Sequence, residues 1–382
     1  MKLPWRAVCW CVLSLAAADL RADRHIGFET DAFNRVYPAS FAKSLVFSPA
    51  SFEIDCAVIA ESLETIPKAN VSEMMGVVLD FESMYRPIVE AYAARTNGLR
   101  VATARGFCLP ELKTAQPAFR QQLQRLYDVE VLRAYPPHGA ESWFRAAMDG
   151  EMEDFCLPAG LMNSGRFAYY DLVSVAVAWR DPFPTENTRK FMFRPAADAA
   201  PQSVVCMSDV RRADTWETKA YTVLRLPLSE GAWFFAMLPN EGFGLAEARE
   251  GLSSAAIDRM LATMSSLVDP HVAHGPCAIV LPRIELRSRL DFTAVLTYFG
   301  IPVKGLRNVA GDLPAREYVQ FAKVSVVEQG PNEQPLARKP AEEVIALTPD
   351  VKRMVFNRPF LFFVYHEGTK TFPIAGQYCG EE

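Results

Sequence analysis

The chain has 382 residues, half of them hydrophobic and 22% charged, which supplies ample material for a large folded core. With 45 acidic against 40 basic side chains the formal net charge is −5, too mild an imbalance to point to nucleic acid or an anionic membrane as partner. Past the N-terminus no run reaches the ~18 apolar residues a membrane helix needs.

The first segment reads as an export signal. Lys2 and Arg6 precede an apolar stretch from Val8 to Ala18 that is too short to span a bilayer comfortably, and Ala16-Ala17-Ala18 offers small residues for cleavage. Residues 1–18 are therefore expected to be a signal peptide and 19–382 one domain, secreted into an oxidising extracellular setting; a buried first helix is the alternative. Cys56, Cys108, Cys156, Cys206, Cys277 and Cys379 would remain after export. They are scattered and contain no C-x-x-C pair, which argues against zinc and thioredoxin-like chemistry and leaves disulfides or buried thiols open.

Ser48-Pro49 ahead of the run Ser51 to Ala60 reads as a capped helix start, with Ser48 accepting backbone N–H bonds and Pro49 in the first turn. Asn70-Val71-Ser72 is a glycosylation sequon. Phe119, Leu123, Leu126 and Tyr127 are spaced as one face of a helix beginning near Pro117, and Trp143 to Phe155 is a weaker helix interrupted by Gly150. Val173, Val175, Val177 and Trp179 alternate with Ser174, Ala176 and Ala178, the pattern of a strand. Ala232 to Leu238, Cys277 to Leu286, Val319 to Val327 and Pro359 to Tyr365 are further strand-length runs, the last apolar enough to be buried on both faces. Helical and strand-like segments are intermixed without a repeat or linker, so one α+β domain is expected.

Between the last two strands, Pro331 to Phe356 holds four prolines and no periodicity. Irregular stretches beyond ~12–15 residues are unusual in compact domains and are commonly functional. Enzyme signatures are missing: there is no G-x-S-x-G, H-E-x-x-H or Walker motif, and Gly242-Phe243-Gly244 reads as a turn. His271 and His274 read as a surface loop and not as metal ligands. No catalytic residue, metal or cofactor is expected.

Several segments, taken in order, resemble the serpins. Leu45-Val46-Phe47-Ser48-Pro49-Ala50-Ser51 is similar to the opening of the helix beneath that family's main sheet. Asp171-Leu172-Val173-Ser174 with Trp179-Arg180-Asp181-Pro182-Phe183 resembles its central strand and breach tryptophan, Trp179. Leu281-Pro282-Arg283-Ile284, Leu290-Asp291-Phe292 and Leu296-Thr297-Tyr298-Phe299-Gly300-Ile301 follow in the family's order. Val326-Val327-Glu328-Gln329-Gly330 sits where the loop hinge begins, and Phe356-Asn357-Arg358-Pro359-Phe360-Leu361-Phe362 with the hairpin from Tyr365 to Tyr378 closes the pattern.

The resemblance implies a serpin fold of three β-sheets and about eight or nine helices, with an exposed reactive loop over about residues 330–356. A serine or cysteine protease would be the partner and a monomer the expected state. Inhibitory members are cut in the loop, trap the protease as an acyl-enzyme and insert the loop as a new central strand. The resemblance assigns Ser48, Ser51, Ser174 and Gln320 to the shutter, with Ser174 and Gln320 standing where asparagine and histidine are usual. It assigns Glu328, Gln329, Gly330, Pro331, Glu333 and Pro335 to the hinge. The scissile bond is expected at Val344-Ile345 by one count and at Thr348-Pro349 by another. Because Pro331 and Pro335 lack an N–H and Glu333 is charged, a hinge that inserts poorly is expected, and with it weak or lost inhibition. A working inhibitor with an atypical hinge and a non-inhibitory carrier or chaperone are the alternatives.

Overall fold

A computed structural model describes residues 25–36, 43–75, 81–94, 99–110, 115–158, 165–196, 199–229, 231–265, 272–330 and 351–381. The expected signal peptide lies outside these, as do His271, Pro331, Glu333, Pro335, Val344, Ile345, Thr348 and Pro349. The first part of the chain runs α1 (25–36), β1 (Leu45–Phe47), α2 (Pro49–Ser62), α3 (Thr65–Met74), α4 (Phe81–Ala93), β2 (Leu99–Leu109), α5 (Pro117–Tyr127), β3 (Val129–Arg133), α6 (Pro137–Ala147) and β4 (Phe167–Val177). It continues through β5 (Arg189–Phe193), β6 (Gln202–Glu217), β7 (Tyr221–Pro227), β8 (Ala232–Pro239), α7 (Leu245–Glu250), α8 (Ser254–Ser265), β9 (Val272–Pro282) and β10 (Ile284–Asp291). α9 (Thr293–Tyr298), β11 (Ala315–Val326), β12 (Lys352–Val355), β13 (Phe360–His366) and β14 (Thr371–Tyr378) complete it.

The centre is α2, all 14 residues of which are buried. A helix buried on every side belongs in the middle of a large fold, and α2 lies between β14 and the main sheet at β4. Ser48 caps it as the sequence predicts, its Oγ accepting from Ser51 N at 3.2 Å, with Pro49 in the first turn. The main sheet has strand order β10-β11-β4-β2-β3, and the other strands run β1-β14-β13-β8-β7-β6-β9-β12, with β5 also on β6. β6 is long enough to serve two of the three expected sheets. Its first residues pair with β5 and its last with β7, while β9 follows its other edge. Those two sheets are thus fused into one nine-stranded network, and with nine helices among the described residues the α+β class holds.

Several local expectations are met and several corrected. α5 begins at Pro117, and β13 is buried between β14 and β8. The expected helix over Trp143 to Phe155 instead spans Pro137–Ala147, because Asp149 and Gly150 take positive φ (51° and 81°) and stop it. The single run Cys277 to Leu286 is two strands in different sheets, parted after Pro282. His274 lies within β9 and not in a loop; its Nδ1 sits 2.6 Å from Asp214 Oδ1. The irregular segment is shorter than expected, because Lys352–Val355 forms β12 parallel to β9, with Met354 buried and Arg353 outward. Asn70 is exposed on α3, and the six cysteines are free, all buried but Cys156.

β14 carries one position where only glycine fits. Gly376 lies between Val46 and Phe362 in the paired strands, and a Cβ there would stand 2.5 Å from Leu45 O and 2.6 Å from Phe362 Cζ. Gly376→Ala should destabilise the fold by about 1–3 kcal/mol, since the β1 backbone must shift. Gly275→Ala, whose Cβ would meet nothing within 4 Å, is the control. Urea unfolding of the two variants checks the contrast.

Candidate functional site

β4 and β11 are parallel neighbours paired directly from Phe167/Ala315 to Ala176/Ser325. Side chains alternate between faces along a strand, and on the inner face of this seam one row is polar. Gln320 of β11 stands opposite Asp171 of β4, and Asp171 stands opposite Arg105 of β2. All three are buried to within 1%. Gln320 Nε2 donates to Asp171 Oδ2 at 2.8 Å across the seam, and its Oε1 accepts from Ser48 N at 2.8 Å. Arg105 Nε lies 3.3 Å from Asp171 Oδ1 and 3.6 Å from Asp55 Oδ1 of α2, and its Nη2 donates to Ser51 Oγ. Tyr169 OH donates to Asp55 Oδ1 at 2.8 Å.

One guanidinium faces two carboxyls in this row. Burial first, then the Asp171 charge, pushes the Asp55 carboxyl well above the usual carboxylate range. Asp55 thus holds its proton to higher pH than a free aspartate does, and Arg105 lies closer to Asp171 than to Asp55.

Of the four residues the resemblance groups together, Gln320 bonds the Ser48 backbone and Ser51 donates its N–H to Ser48 Oγ, but Ser174 does not join them. It lies three residues beyond Asp171 and so points to the opposite face of β4. There its Oγ donates to Glu151 Oε2 at 3.2 Å. Lys323 of β11 donates to the same oxygen at 2.6 Å, and Arg100 Nη1 of β2 lies 3.8 Å from Glu151 Oε1. Burial would raise the Glu151 carboxyl, but the Lys323 hydrogen bond and charge hold it below the usual range. One carboxylate on the segment after α6 thus ties three strands from outside. Asp171 and Arg105 were missed. The period-two pattern of Val173, Val175 and Val177, carried back two residues, would have put Asp171 on the core face and demanded a buried partner.

At the head of the seam the chain leaves the sheet. Trp179 is buried and its Nε1 donates to Val327 O at 2.7 Å, with Phe183 and Phe234 edge-on at 5.2 and 5.3 Å. Glu328 is 2% exposed and bound by Arg283, whose Nε lies 2.8 and 3.0 Å from its two carboxylate oxygens. Thr188 Oγ1 also donates to it, and Phe183 N donates to its carbonyl at 2.8 Å. Gln329 is half-buried. Gly330 has φ +72°, and a Cβ there would sit 2.4 Å from Val177 O. Only glycine lets the chain turn off so close to β4.

The polar row yields a pH-dependent comparison. An unfolded aspartate loses its proton near pH ~3.9, whereas folded Asp55 holds it to higher pH. The folded state therefore binds more protons above that pH, and this residue's contribution to stability falls as pH rises. Asp55→Asn removes that loss: its stability relative to wild type should improve steadily from about pH 4 toward the folded-state pKa. Arg105→Met, which leaves Asp171 buried without a counter-charge, should cost about 3–5 kcal/mol at neutral pH. Thermal denaturation across pH checks both.

Over residues 24–380 the chain matches the family model described as "Serpin (serine protease inhibitor)". It is 22% identical over 368 residues to mouse (Mus musculus) alpha-2-antiplasmin, which spans 91% of this chain and 69% of that one. It is also 22% identical over 392 residues to bovine (Bos taurus) plasminogen activator inhibitor 1, spanning 95% and 92%. Among solved structures, native protease nexin-1 with heparin superposes with a TM-score of 0.80 at 18% identity, over 94% of this chain and 99% of that one. Human thyroxine-binding globulin in complex with its thyroid hormone superposes at 0.78 and 15%, over 94% and 98%. These structural likenesses show the fold, and the family match runs through both strands of the seam and the turn at Gly330: the chain belongs to the serpin family.

Proposed function

We propose that this chain is a secreted, monomeric serpin, exported by residues 1–18, whose loop is offered to serine or cysteine endopeptidases but whose insertion is slow or absent. Suicide inhibition is accordingly weak or lost, and the loop acts as a cleavable bait. The observation that carries this is Gly330 packed against Val177 at the head of the β4/β11 seam, with Pro331-Asn332-Glu333-Gln334-Pro335 next in the sequence.

In the family's mechanism the residues after the hinge glycine enter between the two seam strands. A new strand there must run antiparallel to both and supply an N–H at nearly every residue. Pro331, Pro335 and Pro340 supply none. With a period of two, one face receives Glu333 and Lys339 and the other Arg338, so either setting buries charge. Each unsatisfied carbonyl costs about 1–3 kcal/mol, and with the buried charge the total opposing insertion is on the order of 5–10 kcal/mol. Opening the seam also breaks Gln320–Asp171 on one face and separates Ser174 from Lys323 at Glu151 on the other. We assign the scissile bond to Val344-Ile345, an elastase-like site, because proline after Thr348 hinders the alternative.

The test is cleavage of the purified chain by an elastase-type protease, with the cut located by mass spectrometry. The expected result is turnover without an SDS-stable complex and a melting temperature unchanged by the cut. The triple variant Pro331→Thr, Glu333→Ala, Pro335→Ala should gain about 10 °C or more on cleavage. A covalent complex or a comparable gain with the unaltered chain overturns the proposal.

A further inference from the structure

One motif of the sequence is used by neither the seam nor the hinge. Asn70-Val71-Ser72 is the only place in the chain where an asparagine stands two residues before a serine or threonine with no proline between. It lies in the second half of α3, and the helix sorts its residues by face. Val71 and Ser72 are each 2% exposed, and Met75 follows them into the core. Ala69, Asn70 and Glu73, at helical spacing, lie on the exposed side. The Asn70 side chain has no hydrogen-bond partner among the described residues, so the fold loses no contact when a group is attached to its amide.

The position of α3 follows from that of α2. Ser48 at the start of α2 meets Gln320, opposite Asp171, and Asp55 further on meets Tyr169, so α2 leads toward the end of the main sheet where β4 begins. At its far end the carbonyls of Glu61, Ser62 and Leu63 accept from Asn308, and Glu64, just before α3, pairs with Arg307 at 2.9 Å. Pro314, further along the same segment, accepts from the N–H of Phe167, the first residue of β4. α3 therefore stands at the end of the sheet where β4 and β11 begin. Gly330 stands at the other end, against Val177, the last residue of β4. The 11 residues of that strand set the two ends about 33 Å apart.

We propose that Asn70 carries an N-linked oligosaccharide, added before α3 packs, at the end of the molecule away from the hinge. This rests on the reading of the chain as secreted. The donor is an oligosaccharide joined to a lipid through a diphosphate. Asn70 Nδ2 attacks the anomeric carbon; the bond from Nδ2 to that carbon forms, its bond to the diphosphate oxygen breaks, and the lipid diphosphate leaves while one Nδ2 proton passes to solvent. The transferase reads the hydroxyl two residues on, and in the fold Ser72 is buried. The finished helix thus offers the acceptor amide but hides the hydroxyl, so the transfer comes first. Once folded, the sugar lies on the solvent side of α3 and leaves the approach to the hinge open.

Expression in a eukaryotic secreting host tests the site, with the full chain as it stands and with a second version in which another protein's export signal replaces residues 1–18. The second version should lose mass on treatment with peptide N-glycanase, which leaves the Asn70 amide hydrolysed to a carboxyl in the peptide read by mass spectrometry. Asn70→Gln, an exposed change, should abolish the shift without loss of secretion, and Ser72→Thr, which keeps the hydroxyl, should retain it. The folded, unmodified chain from a bacterial host should accept no oligosaccharide from detergent-opened microsomes that do modify a short acceptor peptide. An unshifted second version, a shift that survives Asn70→Gln, or transfer to the folded chain each overturns the assignment. Retention of the first version in the cell while the second is secreted and modified counts against the export signal and upholds the site.

Discussion

The hydrogen bond from Gln320 to Asp171 is the point on which the main sheet depends, because it crosses the parallel seam between β4 and β11 in the interior of the sheet, whereas the sheet's other parallel pair, β2 and β3, lies at its edge. Parallel ladders are slightly less stable per residue than antiparallel ones, so a seam of this kind needs side-chain support. Here the support is ionic. The Asp171 carboxylate has Arg105 beside it as counter-charge, and Arg105 is tolerated because it lies against Asp171 and donates an N–H to Ser51. Removing any one member leaves another buried without a partner, which is why the row behaves as a unit.

The same arrangement bears on function. A strand entering the seam would exchange one parallel ladder for two antiparallel ones, a gain in backbone bonding that drives insertion where the entering residues allow it. Under the proposed reading, the prolines after Gly330 would reduce that gain, and contacts on both faces of the seam would oppose its opening. Gln320 and Asp171 close the inner face, and Glu151 closes the outer through Ser174 and Lys323. A seam closed on both sides and a hinge poor in N–H groups point the same way. Consistency between independent local features carries more weight than any one of them.

Much of the fold was legible because it rests on local chemistry. The Ser48 cap, the Pro117 helix start, the alternation in β4 and the apolar run of β13 each follow from patterns a few residues long. What was not legible depended on contacts distant in sequence. Whether Cys277 to Leu286 is one strand or two is decided by which sheets its halves join, and that is invisible from an unbroken apolar run. Ser174 was placed in the inner cluster by resemblance, whereas the pleat gives that place to Asp171. Glu151, set in irregular backbone after α6, carries no periodic signal at all, although it holds Ser174 and Lys323 on the two strands of the seam.

The central helix ties these observations together. Of the three buried acids of α2, Glu53, Asp55 and Glu61, the first two face different neighbours. Asp55 meets Tyr169 and Arg105 at the main sheet, whereas Glu53 meets His25 Nδ1 of α1 and Tyr85 of α4, each at 2.9 Å. Glu29 of α1 lies buried nearby, where burial and the Glu53 charge push it well above the usual carboxylate range and Phe372 N of β14 donates to it at 2.6 Å. A helix held in the core by apolar contacts alone could settle at many rotations, because dispersion and hydrophobic contact are non-directional. Two acids with directed partners on different elements permit one. Only with α2 set at that rotation does Ser48 present its N–H to Gln320 and Ser51 its hydroxyl to Arg105. The polar groups inside α2 are costly in isolation, and what they secure is the alignment that closes the seam.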